Sequence, residues 1–151
     1  MRGFWLFVHN LGFALWIGAG IATMVAGVTA KHFAPADRLS VYRVTGAVWR
    51  ILVGPGAVAT LVSGLVLAMQ WMKSGAAPGW LNAMMGLGLV GALAAVGLAM
   101  PAAAQLGRLQ LDPRGELPER FAALRKRLIW TATIAGGLAI FALGAGTIWR
   151  S

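Results

Sequence analysis

The sequence predicts an all-α protein: a bundle of four transmembrane helices that forms a single integral membrane domain over residues 1–151. Three observations predict it: four long apolar runs, an apolar content of 59% against 11% charged residues, and tryptophans near the ends of the runs. The runs cover residues 4–30, 48–72, 80–105 and 128–149. Roughly 20 apolar residues in a helix cross the hydrocarbon core of a bilayer, so each run is long enough to span it.

Ionisable residues are nearly absent from these runs. Arg50, near the start of the second run, is the only charged residue in them, and His9 is the only other ionisable one. A surface helix of a soluble protein has a charged face, and these runs have none. The first run follows Arg2 but is longer than the apolar part of a usual signal peptide, so we predict that it is a retained span.

The net charge of +9 would suggest nucleic-acid binding in a soluble chain. Here the basic residues lie between apolar runs and the mean hydropathy is +0.75, so the predicted partner is the lipid bilayer and not nucleic acid. The sequence contains no cysteine, which excludes disulfides and thiolate metal sites.

The distribution of basic residues predicts the orientation. Of the thirteen lysines and arginines, only Arg2, Lys73 and Arg150 lie outside the first and third connections and their flanks. By the positive-inside rule, the basic loops 31–47 and 106–127 face the cytoplasm of a bacterial-type inner (plasma) membrane, and both termini lie outside. The cluster Arg125-Lys126-Arg127 is expected to bind anionic lipid headgroups.

Tryptophans support these boundaries, because their rings favour the membrane–water interface. Only Trp16 lies in the middle of a run. The predicted outer-interface residues are Trp5, Trp71, Trp80 and Trp149, and the predicted inner-interface residues are Trp49 and Trp130.

The connections contain helix-start residues. Asp37 is expected to cap a helix that begins near Arg38, so that the second helix projects into the cytoplasm. Asp112-Pro113 and Pro118-Glu119 predict helix starts in the third connection.

Small residues four positions apart predict close helix packing, because they lie on one helix face and let backbones approach in lipid. These rows are Gly18/Ala22, Gly88/Ala92, Gly91/Ala95/Ala99 and Ala132/Gly136.

A candidate site follows from depth in the membrane. His9 lies about five residues, or roughly 7–8 Å, below the outer end of the first helix. Met84 and Met85 lie at a similar depth in the third helix. At that level Gly64 and Ala68 leave space in the second helix, and Gly144-Ala145-Gly146 leaves space in the fourth. A haem would fit such a space, with His9 and a methionine as axial ligands. Alternatively, His9 bonds a backbone carbonyl and the methionines fill gaps.

Short motifs resemble a known family at this point. His9 followed by Trp16-Ile17-Gly18 resembles the first helix of the HemJ-type protoporphyrinogen oxidases and their CopD-like relatives. The segment 50–60 with Gly64-Leu65 resembles the second helix of that family, and the segment 80–83 resembles the start of its third.

This resemblance implies a four-helix haem b protein in which a first-helix histidine, matched by His9, and a third-helix lysine are essential for oxidase activity. The lysine position falls on Met84, and a second histidine of the family falls on Asn82. The sequence therefore lacks a residue that the resemblance ties to protoporphyrinogen oxidation. Methionine is itself a haem ligand, and a His/Met pair favours electron transfer. Trp16, the one tryptophan in the middle of a run, is a further candidate residue of the cofactor site.

Two alternatives use other observations. Met69, Met72, Met84 and Met85 with His9 would suit Cu(I), which fits a copper-handling CopD-like protein. A small glycine-rich bundle without an intramembrane carboxylate would also suit a non-catalytic accessory subunit, which self-associates or packs against other membrane subunits.

Overall fold

The computed structural model describes residues 2–73, 75 and 78–148, and all regular structure within them is helical. Each of the four long helices is long and apolar enough to cross a membrane. They are α1 (Arg2–Thr29), α2 (Pro35–Met72), α3 (Gly79–Leu106) and α4 (Arg120–Ile148). The predicted all-α class with four spans is thus confirmed, whereas the orientation stays a prediction. Trp149 and Arg150 lie outside the described residues.

The second helix begins well before its apolar run, as predicted, but not by the expected cap. It starts at Pro35, whose fixed φ suits the first helical position, after Ala34 as N-cap. The N-cap makes no side-chain hydrogen bond, and Asp37 lies in the first turn. There the carboxylate is stabilised by the helix dipole rather than by capping. The prediction that Asp37 caps the helix was wrong.

The third connection contains one of its two predicted helix starts. α4 begins at Arg120, directly after Pro118-Glu119. Asp112-Pro113 starts no helix: Asp112 Oδ1 instead accepts hydrogen bonds from the backbone N–H groups of Arg114 and Glu116, at 2.9 and 2.7 Å. Gly115, at a φ of 77°, completes a turn that a residue with a side chain rarely adopts.

The bundle consists of two antiparallel pairs. α1 packs along the apolar part of α2, and α3 packs along α4, with less contact between the pairs. The α1–α2 pair touches backbone to backbone, because a Cβ placed on Gly12 would lie 2.8 Å from the carbonyl oxygen of Gly56. The reciprocal distance, from Gly56 to the carbonyl oxygen of Gly12, is also 2.8 Å.

Only part of the predicted small-residue packing is present. Gly91 packs against α4, with its Cβ position 3.2 Å from the carbonyl oxygen of Ala135. The Cβ positions of Gly18, Gly88 and Gly136 have no neighbouring atom within 4 Å. Those three glycines therefore do not mediate helix contacts within the described residues, and predicting that they do was wrong.

Two π-helical turns interrupt the long helices, and each precedes a proline. They are Trp49–Val53 in α2, before Pro55, and Ala95–Ala99 in α3, before Pro101. Proline donates no hydrogen bond and its ring crowds the carbonyl four residues earlier, so the local helix widens. Next to these turns the helices are close: Met100 Sδ lies 2.8 Å from the Cβ position of Gly54.

The tryptophans occupy different environments. Trp49 is buried between helices, and its Nε1 donates a hydrogen bond to Thr23 Oγ1 at 3.3 Å. That bond satisfies its polar group inside the bundle. Trp130 is exposed. The position of both residues at the inner interface stays a prediction. At the opposite end, the rings of Trp71 and Trp80 meet edge to face at 5.7 Å.

Candidate functional site

The imidazole ring of His9 packs against α2 and forms hydrogen bonds with it. Its Nδ1 lies 2.9 Å from the backbone carbonyl oxygen of Thr60 and 3.2 Å from Ser63 Oγ. Because a carbonyl only accepts, Nδ1 carries the proton and donates to Thr60. In that neutral tautomer Nε2 has a free lone pair, and it forms no hydrogen bond within the described part of the chain.

Gly64 makes this position possible. A Cβ at Gly64 would lie 3.0 Å from His9 Cε1 and 3.3 Å from Nδ1, closer than ordinary van der Waals contact. The imidazole thus occupies the space that a side chain at residue 64 would need. Thr60 and Gly64 lie one helical turn apart, so both face α1.

A cavity of about 400 Å³ lies beside the His9 ring, between the two helix pairs. It is lined mainly by apolar side chains, as ligand pockets generally are. Of the predicted site residues, His9, Trp16, Gly64, Met84 and Met85 line it.

The remaining candidate, Gly144, is not among the lining residues. Two residues further on, Gly146 is the glycine that makes room for Met84, whose Sδ lies 2.7 Å from the Gly146 Cβ position. Residues two apart in a helix point about 200° away from each other, so these glycines face nearly opposite directions. Depth alone placed the segment correctly but did not give the face.

Trp16 is buried deep in the bundle and borders a second cavity as well. Its Cη2 atom lies 3.4 Å from the Cβ position of Gly91 on α3. The second cavity, of about 510 Å³, lies between α1, α2 and α4. Sequence analysis missed it, although Gly20, Gly136 and Gly137, which line it, leave space there.

The arrangement around His9 suits ligation of a metal. A ligating histidine usually donates its other ring N–H to a carbonyl or carboxylate, which fixes the ring and its tautomer. Thr60 provides that acceptor here, and Met84 and Met85 provide thioethers in the same cavity. Met69 and Met72, in contrast, are exposed and do not line the cavity. Two of the candidate copper ligands are therefore separate from His9.

No group of three or more histidines, cysteines, aspartates or glutamates that could hold a metal ion occurs in residues 2–73, 75 and 78–148. Comparison of the chain with protein-family models, with curated proteins and with solved structures gives no match.

Proposed function

We propose that this integral membrane protein binds haem b in the cavity beside His9 and transfers electrons. His9 Nε2 and the Met84 thioether would hold the haem iron, with Met85 as the reserve ligand. The observation that carries the proposal is the His9 ring itself: Nδ1 is engaged by Thr60 at 2.9 Å, and Nε2 is left free in a residue that lines the same cavity as Met84 and Met85.

The lining of the His9 cavity suits the apolar ring system of haem better than it suits the charged propionates. Walls of apolar side chains, with Gly86 and Gly88 leaving open space, suit a flat apolar macrocycle. No lysine or arginine lines the cavity, so propionates would find no cationic partner within it. Arg2 and Lys73, at the start of α1 and the end of α2, are the described basic residues at this end of the bundle.

Electron transfer is the activity that these ligands support. Bound haem b supplies a reversible one-electron couple, and an axial methionine raises its reduction potential. The resemblance to HemJ-type and CopD-like proteins, which we propose as the family relationship, places an essential lysine where this chain has Met84. Protoporphyrinogen oxidation is accordingly not part of the proposal.

We also propose that the protein lies in a bacterial-type inner membrane with loops 31–47 and 106–127 in the cytoplasm. This orientation rests on the excess of basic residues in those loops.

The test is an absorption spectrum of detergent-purified protein from haem-supplied cells, oxidised and then reduced with dithionite. We expect a Soret band with sharp reduced α and β bands, absent in His9→Ala and altered in Met84→Ala. Met69→Ala removes a thioether from the exposed face of α2 and serves as the matched control, with an unchanged spectrum.

A colourless wild-type protein from such cells would contradict the proposal. Metal analysis of the same sample then separates the two alternatives. Stoichiometric copper that is lost in His9→Ala would indicate copper handling. A metal-free protein that co-purifies with other membrane subunits would indicate an accessory subunit.

A further inference from the structure

The second cavity is a groove on the surface of the bundle that faces lipid. Its walls include Ile21, Met24 and Val28 of α1 and Ile140 of α4, all more than half exposed. The Cβ positions of Gly20, Gly136 and Gly137 meet no atom within 4 Å, so these glycines leave the floor of the groove open. We call this feature the α1/α4 groove.

The α1/α4 groove has a closed deep end and a cationic end. Trp16 closes it near the middle of the bundle, and Lys31 and Arg125 line it where α1 ends and α4 begins. From Trp16 to Lys31 the groove follows about 22 Å of helix. One leaflet of the hydrocarbon core is about 15 Å thick. The groove is thus longer than one leaflet is thick, so it has room for a single acyl chain, and its mainly apolar walls suit that chain.

The cationic end lacks a counter-charge from the protein. Arg125 Nε donates to Tyr42 Oη at 2.8 Å, which orients the guanidinium and leaves its terminal N–H groups available. None of the four acidic residues of the chain lines the groove. Among the described residues, Lys31 and Arg125 form no ion pair.

We propose that the α1/α4 groove binds one anionic phospholipid. Its phosphate is held by Lys31 and Arg125, and one acyl chain lies along the glycine floor towards Trp16. The occupant is anionic because a zwitterionic headgroup would bring a second positive charge to two unpaired cations. This site is separate from the His9 cavity and does not depend on haem.

Native mass spectrometry of the full-length protein in mixed micelles tests this proposal, with phosphatidylglycerol and phosphatidylcholine as the two probes. We expect one retained phosphatidylglycerol per chain and little phosphatidylcholine. Lys31→Gln and Arg125→Gln should each lower retention about fivefold. Arg108→Gln is the matched control, since it removes an equal charge from an exposed residue that neither lines the groove nor belongs to the Arg125-Lys126-Arg127 cluster.

A second pair of variants tests the acyl-chain part. Gly20→Leu fills the groove without meeting a neighbouring atom at Cβ, and should abolish retention of phosphatidylglycerol. Gly18→Leu adds the same volume to α1 outside both cavities and should retain the lipid. Thermal unfolding of each variant confirms that it is folded.

Three results would overturn the proposal. The first is equal retention of both lipids. The second is a loss in Arg108→Gln as large as that in Arg125→Gln, which would indicate diffuse attraction to a basic surface. The third is a dimer that Gly20→Leu dissociates, without preference for phosphatidylglycerol, which would make the groove an interface between two copies of the chain.

Discussion

Gly64 lies directly against the imidazole of His9, since a Cβ at residue 64 would be 3.0 Å from Cε1. This contact sets the distance between α1 and α2 at the level of the cavity. Gly64 has no side chain, and this absence determines where the one histidine of the candidate site can lie.

Gly64→Ala should therefore displace the His9 ring and break its bond to Thr60. We expect the haem content per protein to fall at least tenfold, measured from the Soret absorbance. Gly144→Ala is the matched control, because its Cβ enters open space and Gly144 does not line the cavity. Equal haem loss in both variants would refute this role for Gly64.

Gly12→Ala should destabilise the bundle strongly. The new Cβ would lie 2.8 Å from the carbonyl oxygen of Gly56, and backbone yields less readily than a flexible side chain. Overpacking typically costs about 1–3 kcal/mol, and we expect the upper end of that range in the free energy of unfolding. Thermal unfolding in detergent measures it, with Gly18→Ala on the same helix as a control expected to be near neutral.

Tyr42→Phe should loosen the contact between the start of α2 and the start of α4. The variant removes the acceptor of the 2.8 Å bond from Arg125 Nε but keeps the ring, which meets Phe121 edge to face at 5.2 Å. A hydrogen bond to a charged group that is partly exposed should contribute about 1–2 kcal/mol. Ser40→Ala, an exposed position on the same helix, should leave the unfolding temperature unchanged in the same assay.

Single-cysteine variants should reveal the orientation, because the natural chain has no cysteine. In intact cells, a membrane-impermeant maleimide should label Gly3→Cys and spare Gln110→Cys until the membrane is permeabilised. Gly3 has open space around its Cβ position, so the substitution should not disturb the fold. The reverse labelling pattern would place the basic loops outside.

The four spans were predictable because the bilayer requires long apolar runs and makes few other demands on a sequence. The contact of His9 with Gly64, and the cavity that His9 shares with Met84, also followed from depth, since helical rise converts residue number into distance. Depth did not show which face of each helix meets its neighbours. Gly144 does not line the cavity, and the Cβ positions of Gly18, Gly88 and Gly136 meet no neighbouring helix. Both results depend on which helix packs against which, and the sequence does not give that.

Other features depend on local interactions, and the residue types at those positions are compatible with more than one structure. Pro55 and Pro101 are both present in apolar runs, but a proline can kink a helix, end it or widen it. In this structure each helix widens into a π-helical turn before its proline. Trp49 was predicted at the interface from its place near one end of an apolar run. Its hydrogen-bond partner, Thr23, is 26 residues away, so the sequence could not show that the two residues pair. Asp112 is a residue type that often caps a helix. Here its carboxylate instead accepts hydrogen bonds within a tight turn that Gly115 completes, and no helix begins there.

Among the described residues, Trp16 is the one that lines both cavities. Its indole lies 3.4 Å from the Cβ position of Gly91, and that glycine has no side chain to fill the space if the indole is removed. A single substitution, Trp16→Ala, should therefore enlarge the His9 cavity and the α1/α4 groove together, so that two otherwise separate sites depend on one aromatic ring.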